Sequence, residues 1–263
     1  MVVPVRERCG AGDGAGLAAS GDVSRDGVRD LRGPASLGRM SIPMGDESTT
    51  APEQVLTTAG WLSLDLEYVP RVVAGEHLHA HPEAKAALAI AARTFVLRAM
   101  RDRPTLGRTT AIPSGEQFQV FSRYSGEGCV KASTRTQGIV LRYQGRMILA
   151  NHVAGAYWKP DGSHGPDPTN TERWVTYNAG RQGRDVIPTH LSLRSHPGNR
   201  GCLGQHCAHW LAAQGYDYAS ILRFFYGEDI EFHELSRGER TGQLGQVLFG
   251  VLALAVLGVT VRR

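Results

Sequence analysis

The chain has only four cysteines in 263 residues, Cys9, Cys129, Cys202 and Cys207, too few for a disulfide scaffold. Runs of like charge are missing as well. No five or six acidic or basic residues stand together, and the net charge of +4 is spread over 29 basic and 25 acidic side chains. That pattern argues against nucleic acid as a partner. It leaves an anionic polymer or an anionic lipid surface open, because a pI near 9.0 suits either. No internal repeat is visible. The amino terminus lacks the basic head, apolar run and small-residue cleavage site of a signal peptide, since Gly, Asp, Arg and Pro interrupt it throughout.

What is present is enough for a core: 41% of the residues are apolar. Residues 1–50 show no apolar periodicity and are expected to be an unstructured leader, with Met40 and Met44 as alternative starts. Folded patterning begins at Trp61, where Leu62, Leu64 and Leu66 lead into residues 68–76. Pro82, Glu83 and the i, i+3, i+4, i+7 stripe of Leu88, Ala91, Ala92 and Phe95 then predict a helix from about Pro82 to Arg101. Beyond Pro104 come short β-like runs at 117–121, 138–143 and 146–152, the last two joined by a Gln144-Gly145 turn as a hairpin. Residues 159–200 are rich in Pro, Gly, Asp and Asn and read as loop, while 205–214 and 218–226 return to helical spacing. The expected fold class is α+β: a single domain over 51–235 with one long helix, β-hairpins and closing helices, plus a C-terminal hydrophobic helix.

That last helix is expected over 244–261, 18 residues in which Gln246 is the one polar side chain before Thr260. As a helix it would span about 27 Å, close to the roughly 30 Å of bilayer hydrocarbon, with Arg262 and Arg263 among the headgroups. It reads as a transmembrane helix on a polar linker, 236–243; the alternative is a buried terminal helix. Arginines held in the cytoplasm would put the domain outside, which requires an export route that the amino terminus does not show.

Three blocks, in order, carry a more specific signal. LEYVPRVVAGE followed by HPEAKAALAIAARTFVLR (66–98), TQGIVLRYQGRMILANHVAGAY (136–157) and AAQGYDYASILRFFYGED (212–229) resemble the motifs of the SpoIID/LytB family. Glu76 falls on the family's proposed catalytic glutamate, and residues 91–95 on its AARTY run. The chain departs from the pattern in places. One residue fewer separates Glu76 from the helix, the family's helix lysine and glutamine are not in register (Lys85 is one position away), and Val153 to Ala156 replace a serine-rich turn. The GHGVGMSQxGA motif is reduced, over 198–208, to Gln205, Ala208 and two shifted glycines.

The resemblance implies lytic transglycosylation of peptidoglycan glycan strands. One carboxylic acid protonates the glycosidic oxygen and then takes the proton of the sugar's own 6-hydroxyl as a 1,6-anhydro ring closes, so no second carboxylate and no cofactor is required. Glu76, preceded by Val72, Val73, Ala74 and Gly75, is the expected acid/base, an apolar setting favouring its protonated form. The bland alternatives are that Glu76 caps the next helix or pairs with Arg93. Arg93, Tyr143 and Tyr157 are expected substrate contacts: Arg93 for a lactyl or peptide carboxylate, the tyrosines for sugar. Against these stand a structural ion pair for Arg93 and packed strand positions for the tyrosines.

Two groups of potential ligands remain. His77, His79 and His81 alternate, and on an extended segment their imidazoles would share one side; loop histidines are the commoner explanation. His196, Cys202, His206, Cys207 and His209 are enough soft and imidazole ligands for a zinc site, but the spacing fits no strong signature. Zinc, a Cys202–Cys207 disulfide and free thiols all remain open. The function classes to separate are therefore a glycan-cleaving enzyme, a non-catalytic module that binds peptidoglycan or stimulates a wall amidase, and a degenerate membrane-anchored scaffold whose Glu76 would be buried in an ion pair.

Overall fold

The computed structural model describes residues 49–238. Most of the expected leader and the whole of the expected hydrophobic helix at 244–261 lie outside them. Among the described residues no helix is long and apolar enough to cross a membrane.

The α+β class holds. In chain order β1 (Thr50–Ala51), β2 (Gln54–Thr57) and β3 (Gly60–Ser63) precede a π-helical turn, Leu64–Tyr68, which runs into α1 (Val69–His77). The long α2 (Pro82–Asp102) and a shorter α3 (Glu127–Arg135) follow. Next come β4 (Ile139–Tyr143), β5 (Arg146–Met147), β6 (Asn151–Val153), β7 (Cys202–Gly204), α4 (Gln205–Ala213), α5 (Tyr218–Tyr226), β8 (Glu231–Glu234) and β9 (Ser236–Arg237). The strands are short and form four small sheets: β2 with β3, β1 with β9, β6 with β7, and an antiparallel three-stranded sheet in the order β5-β4-β8.

α2 is the axis of the domain. Apolar around nearly its whole circumference, it is buried on all sides, as such a helix must be. Its alanines allow close approach, and the core divides about it. Leu88, Ala89, Ala92 and Val96 pack with Val55, Leu62, Tyr68, Val72 and Val73. Ala87, Ile90 and Ala91 pack with Leu141, Ile148, Leu211, Ile221 and Phe225. The helix begins with Pro82 at its first position and the His81 ring accepting a hydrogen bond from the Glu83 N–H at 3.3 Å. Glu76 therefore does not cap it.

The predicted hairpin is present between β4 and β5, in register Tyr143↔Arg146. Its two-residue turn has positive φ at both Gln144 (50°) and Gly145 (73°), the conformation whose twist matches paired strands. The second arm ends earlier than expected. Ala150 adopts φ 46°, which breaks the run, and β6 leaves to pair in parallel with β7. One other expectation is corrected: residues 117–121 form no strand and instead drape over α1. Residues 68–76, for which no element was expected, are largely helical, and α3 and β8 were not foreseen.

One polar group fastens these layers. Arg93, in the middle of α2, is fully buried (0% exposed), and its Nε donates to Asp65 Oδ1 at 2.5 Å. Its Nη1 donates to the Ile139 carbonyl at 3.1 Å and its Nη2 to the Ser133 carbonyl at 3.3 Å, while the Ser133 hydroxyl donates to the Asp65 carbonyl at 2.7 Å. Burial pulls the Arg93 pKa down from its ordinary value and Asp65 opposes that pull. Removing one partner of such a pair strands a charge. Arg93→Ala should cost about 3–5 kcal/mol of unfolding free energy. Urea unfolding followed by circular dichroism would measure it, and a loss under about 1 kcal/mol, the level of an exposed pair, would contradict the assignment.

Candidate active site around Glu76

Glu76 sits in the last turn of α1, half-buried. Each carboxylate oxygen has its own donor: Val120 N–H to Oε1 and Gln205 Nε2 to Oε2, both at 2.8 Å. The segment carrying Val120 lies directly on the helix end. Ser122 N–H donates to the Arg71 carbonyl at 2.9 Å, and a Cβ on Gly75 would meet the Val120 carbonyl oxygen at 2.5 Å. Only glycine allows that approach. Beneath it Tyr68 donates to Gln119 Oε1 at 2.8 Å, and Gln119 Nε2 to the Ala92 carbonyl at 3.2 Å. Burial, and then the charge of Glu76, push the Tyr68 phenol well above its ordinary pKa, so it stays a neutral donor.

Next to the acid lies a group of imidazoles. The His77 ring meets His206 edge-on at 5.0 Å between centroids and His209 at 5.5 Å. His206 stacks on Tyr157 at 3.9 Å, and His209 Nδ1 accepts the His81 N–H at 2.9 Å. Tyr157 is 49% exposed, so this face is open. Burial, then His206 and His209, hold His77 down to about 4; a hydrogen bond with the Gln205 backbone works the other way. The His206 and His209 pKa values are lowered too, first by burial and next by a neighbouring imidazole, His209 and His81 respectively. The loop that brings Tyr157 here is itself pinned. Gly155 N–H donates to Thr171 Oγ1 at 2.8 Å, Ala156 N–H to Glu172 Oε2 at 2.7 Å, and His206 N–H to the Ala154 carbonyl at 3.0 Å.

Of the expected site residues, the structure brings Glu76, Tyr157, His206 and His209 to one place. Arg93 is corrected: with no exposed surface and its fork spent on Asp65, Ser133 and Ile139, it touches neither substrate nor Glu76. Tyr143 lies under the Arg200 guanidinium, 3.8 Å from ring centroid to carbon, and contributes packing there. The alternating histidine triplet is not extended, because α1 continues through His77 and His81 begins α2.

The five-residue zinc cluster does not assemble. His196 faces Arg98 Nη2 at 3.3 Å and accepts the Gly198 N–H at 3.0 Å, whereas Cys207 joins the core beside Leu203 and Leu211. Cys202 is buried in β7, where burial and then Glu172 push its thiol well up. A strand-to-helix corner sends the two cysteines to different neighbours; both are buried, and no disulfide joins them. The disulfide alternative is thereby corrected as well. Among the described residues no group of three or more His, Cys, Asp or Glu is placed to hold a metal ion.

Gln205 and Val120 were not foreseen as partners of the acid, nor Gln119 as the partner of Tyr68 beneath it. Gln205 had a trace in sequence, as the residue surviving in the reduced 198–208 motif; the other two had none.

The arrangement defines a class first: an α+β domain presenting one half-buried carboxyl, fixed at both oxygens, on an open face with aromatic and imidazole side chains. Residues 54–143, which include Glu76, match the family described as stage II sporulation protein, SpoIID. That match supports a SpoIID-family domain at those residues, and such a domain suggests a sporulation-related function at the cell wall. No curated protein matches the chain.

The histidines predict a pH response. A folded pKa near 4 for His77 lies below its ordinary 6.5. Protonation therefore favours the unfolded chain, and stability should be full above about pH 6.5 and fall as pH drops toward 4. Thermal unfolding at half-unit steps should show that slope, reduced in His77→Gln; the same slope in both proteins would assign it elsewhere.

Proposed function

We propose that the chain cleaves peptidoglycan glycan strands by lytic transglycosylation with Glu76 as its single acid/base. The observation that carries this reading is the Glu76 carboxyl, held by Val120 N–H and the Gln205 side chain beside the open Tyr157 face, within residues matching the SpoIID family.

The chemistry asks little more of the protein. Protonated Glu76 gives its proton to the glycosidic oxygen, and the bond from the anomeric carbon to that oxygen breaks. The 6-hydroxyl oxygen of the same sugar then bonds to the anomeric carbon, and its proton returns to the carboxylate. Gln205 suits both states, because an amide donates from nitrogen to a carboxylate and, turned over, accepts at oxygen from a carboxylic acid. Tyr157, exposed above His206, offers a face for a sugar ring.

The second reading is a module that binds glycan or stimulates a wall amidase without cleaving. It draws on the reduced 198–208 motif, whose positions here are taken by loop, β7 and α4 residues such as Cys202 and His206. The degenerate scaffold is less favoured, since Arg93 pairs with Asp65 and Glu76 is left on the open face.

Digestion of purified peptidoglycan with mass spectrometry of the products separates the readings. The parent should release 1,6-anhydro sugars; Glu76→Gln should lose at least about 10²-fold in rate with its fold intact. Gln205→Ala should lower kcat by roughly tenfold with KM little changed, as expected for a group that orients the acid. A folded parent that binds wall and releases nothing would favour the second reading.

A further inference from the structure

Arg93 is occupied inside the core, which leaves open what receives an anionic group on the substrate. We propose that His77, His206 and His209, with Tyr157 stacked on His206, form a subsite for a carboxylate carried on the glycan; this rests on the glycan-cleaving reading above.

The imidazoles are in mutual contact, with ring centroids 5.0 Å apart for His77 and His206 and 5.5 Å for His77 and His209. They border Glu76 through one residue, because Gln205 reaches the carboxyl with its side chain and His77 with its backbone. The charged and titratable groups around them come from four elements. α1 supplies Glu76, the start of α2 supplies His81 and Lys85, α4 supplies His206 and His209, and the loop after β6 supplies Tyr157 and Asp167. Lys85 acts on His77 through its charge, and its Nζ rests over Gly128. His206 lies in the first turn of α4, where the helix dipole adds positive potential.

Bordered by Glu76 and Asp167, the three imidazoles give a positive field only once protonated. Each imidazole is held neutral by burial and by its neighbours. An anion entering the group reverses that balance. It favours proton uptake, and by linkage its own affinity rises as pH falls, by up to tenfold per pH unit for each proton taken up. Asp167 favours the charged form of His206, against burial and His209. The subsite thus selects a sugar bearing a carboxylate over a neutral one, and does so more strongly in a mildly acidic medium.

Calorimetry with the full chain tests this using two probes, a tetrasaccharide of alternating N-acetylglucosamine and N-acetylmuramic acid with free lactyl carboxylates, and neutral chitotetraose. The carboxylated probe should bind at least about fivefold more tightly at pH 5.5 than at pH 7.5, less than the linkage limit for one proton, and chitotetraose equally at both. His206→Gln and His209→Gln should each weaken that pH dependence, while chitotetraose binding to either variant stays independent of pH. In the parent protein, the pH titration of an imidazole ring-proton resonance should shift its midpoint to higher pH on adding the carboxylated probe, a readout independent of either variant's folding. Equal, pH-independent binding of both probes would overturn the subsite and leave the glycan reading standing. Binding of neither would overturn both.

Discussion

A single buried guanidinium organises this domain. Arg93 carries its charge at the centre of α2, where water cannot reach it, and such a charge is tolerable only if its fork is filled. The groups that fill it come from the π-helical turn before α1 (Asp65), from α3 (Ser133) and from β4 (Ile139), so its satisfaction sets where all three sit against the central helix. Close packing does the rest. The alanines along α2 bring the α1 side and the α4–α5 side of the core within reach of the same helix.

The placement of Glu76 follows from that frame. α1 emerges from the turn that Asp65 anchors, and its last residues meet the segment of Val120 and the first turn of α4. Because the arginine is committed to Asp65, the glutamate is left with neutral donors. An acid/base group gains from this: a cation in hydrogen-bond contact would hold a carboxyl ionised, whereas an amide serves both of its protonation states. The imidazoles stand one residue away and bring charge to the site as the medium acidifies.

Some of this was legible in residue order. α2 was readable because its apolar stripe, Pro82 and Glu83 are local signals, and it runs from Pro82 to Asp102 against an expected end near Arg101. The β4–β5 turn was readable because Gln144-Gly145 takes a backbone conformation that few pairs accept. α3 escaped notice because its helical face is mostly polar and its burial comes from neighbours. Residues 117–121 looked like a strand because Phe118 and Val120 alternate with glutamines, but the segment is laid across α1 with Phe118 and Phe121 packed on the core and Gln119 buried. Glu76 could be singled out by its place after a Val-Val-Ala-Gly run; its two donors, 44 and 129 residues away, could not.

Sequence alone determined the elements whose causes are local: the helix with its stripe and start signal, the hairpin with its turn, and the three motifs that marked Glu76. Tertiary structure decided the roles of polar groups. It buried Arg93 against Asp65, sent Cys202 and Cys207 to separate neighbours, put Tyr143 under Arg200 and gathered His77, His206, His209 and Tyr157 beside the acid. The physical reason is range. Backbone preference and apolar period act within a few residues, whereas a buried charge or donor is satisfied by whatever the fold brings within 3 Å of it, however distant in the chain.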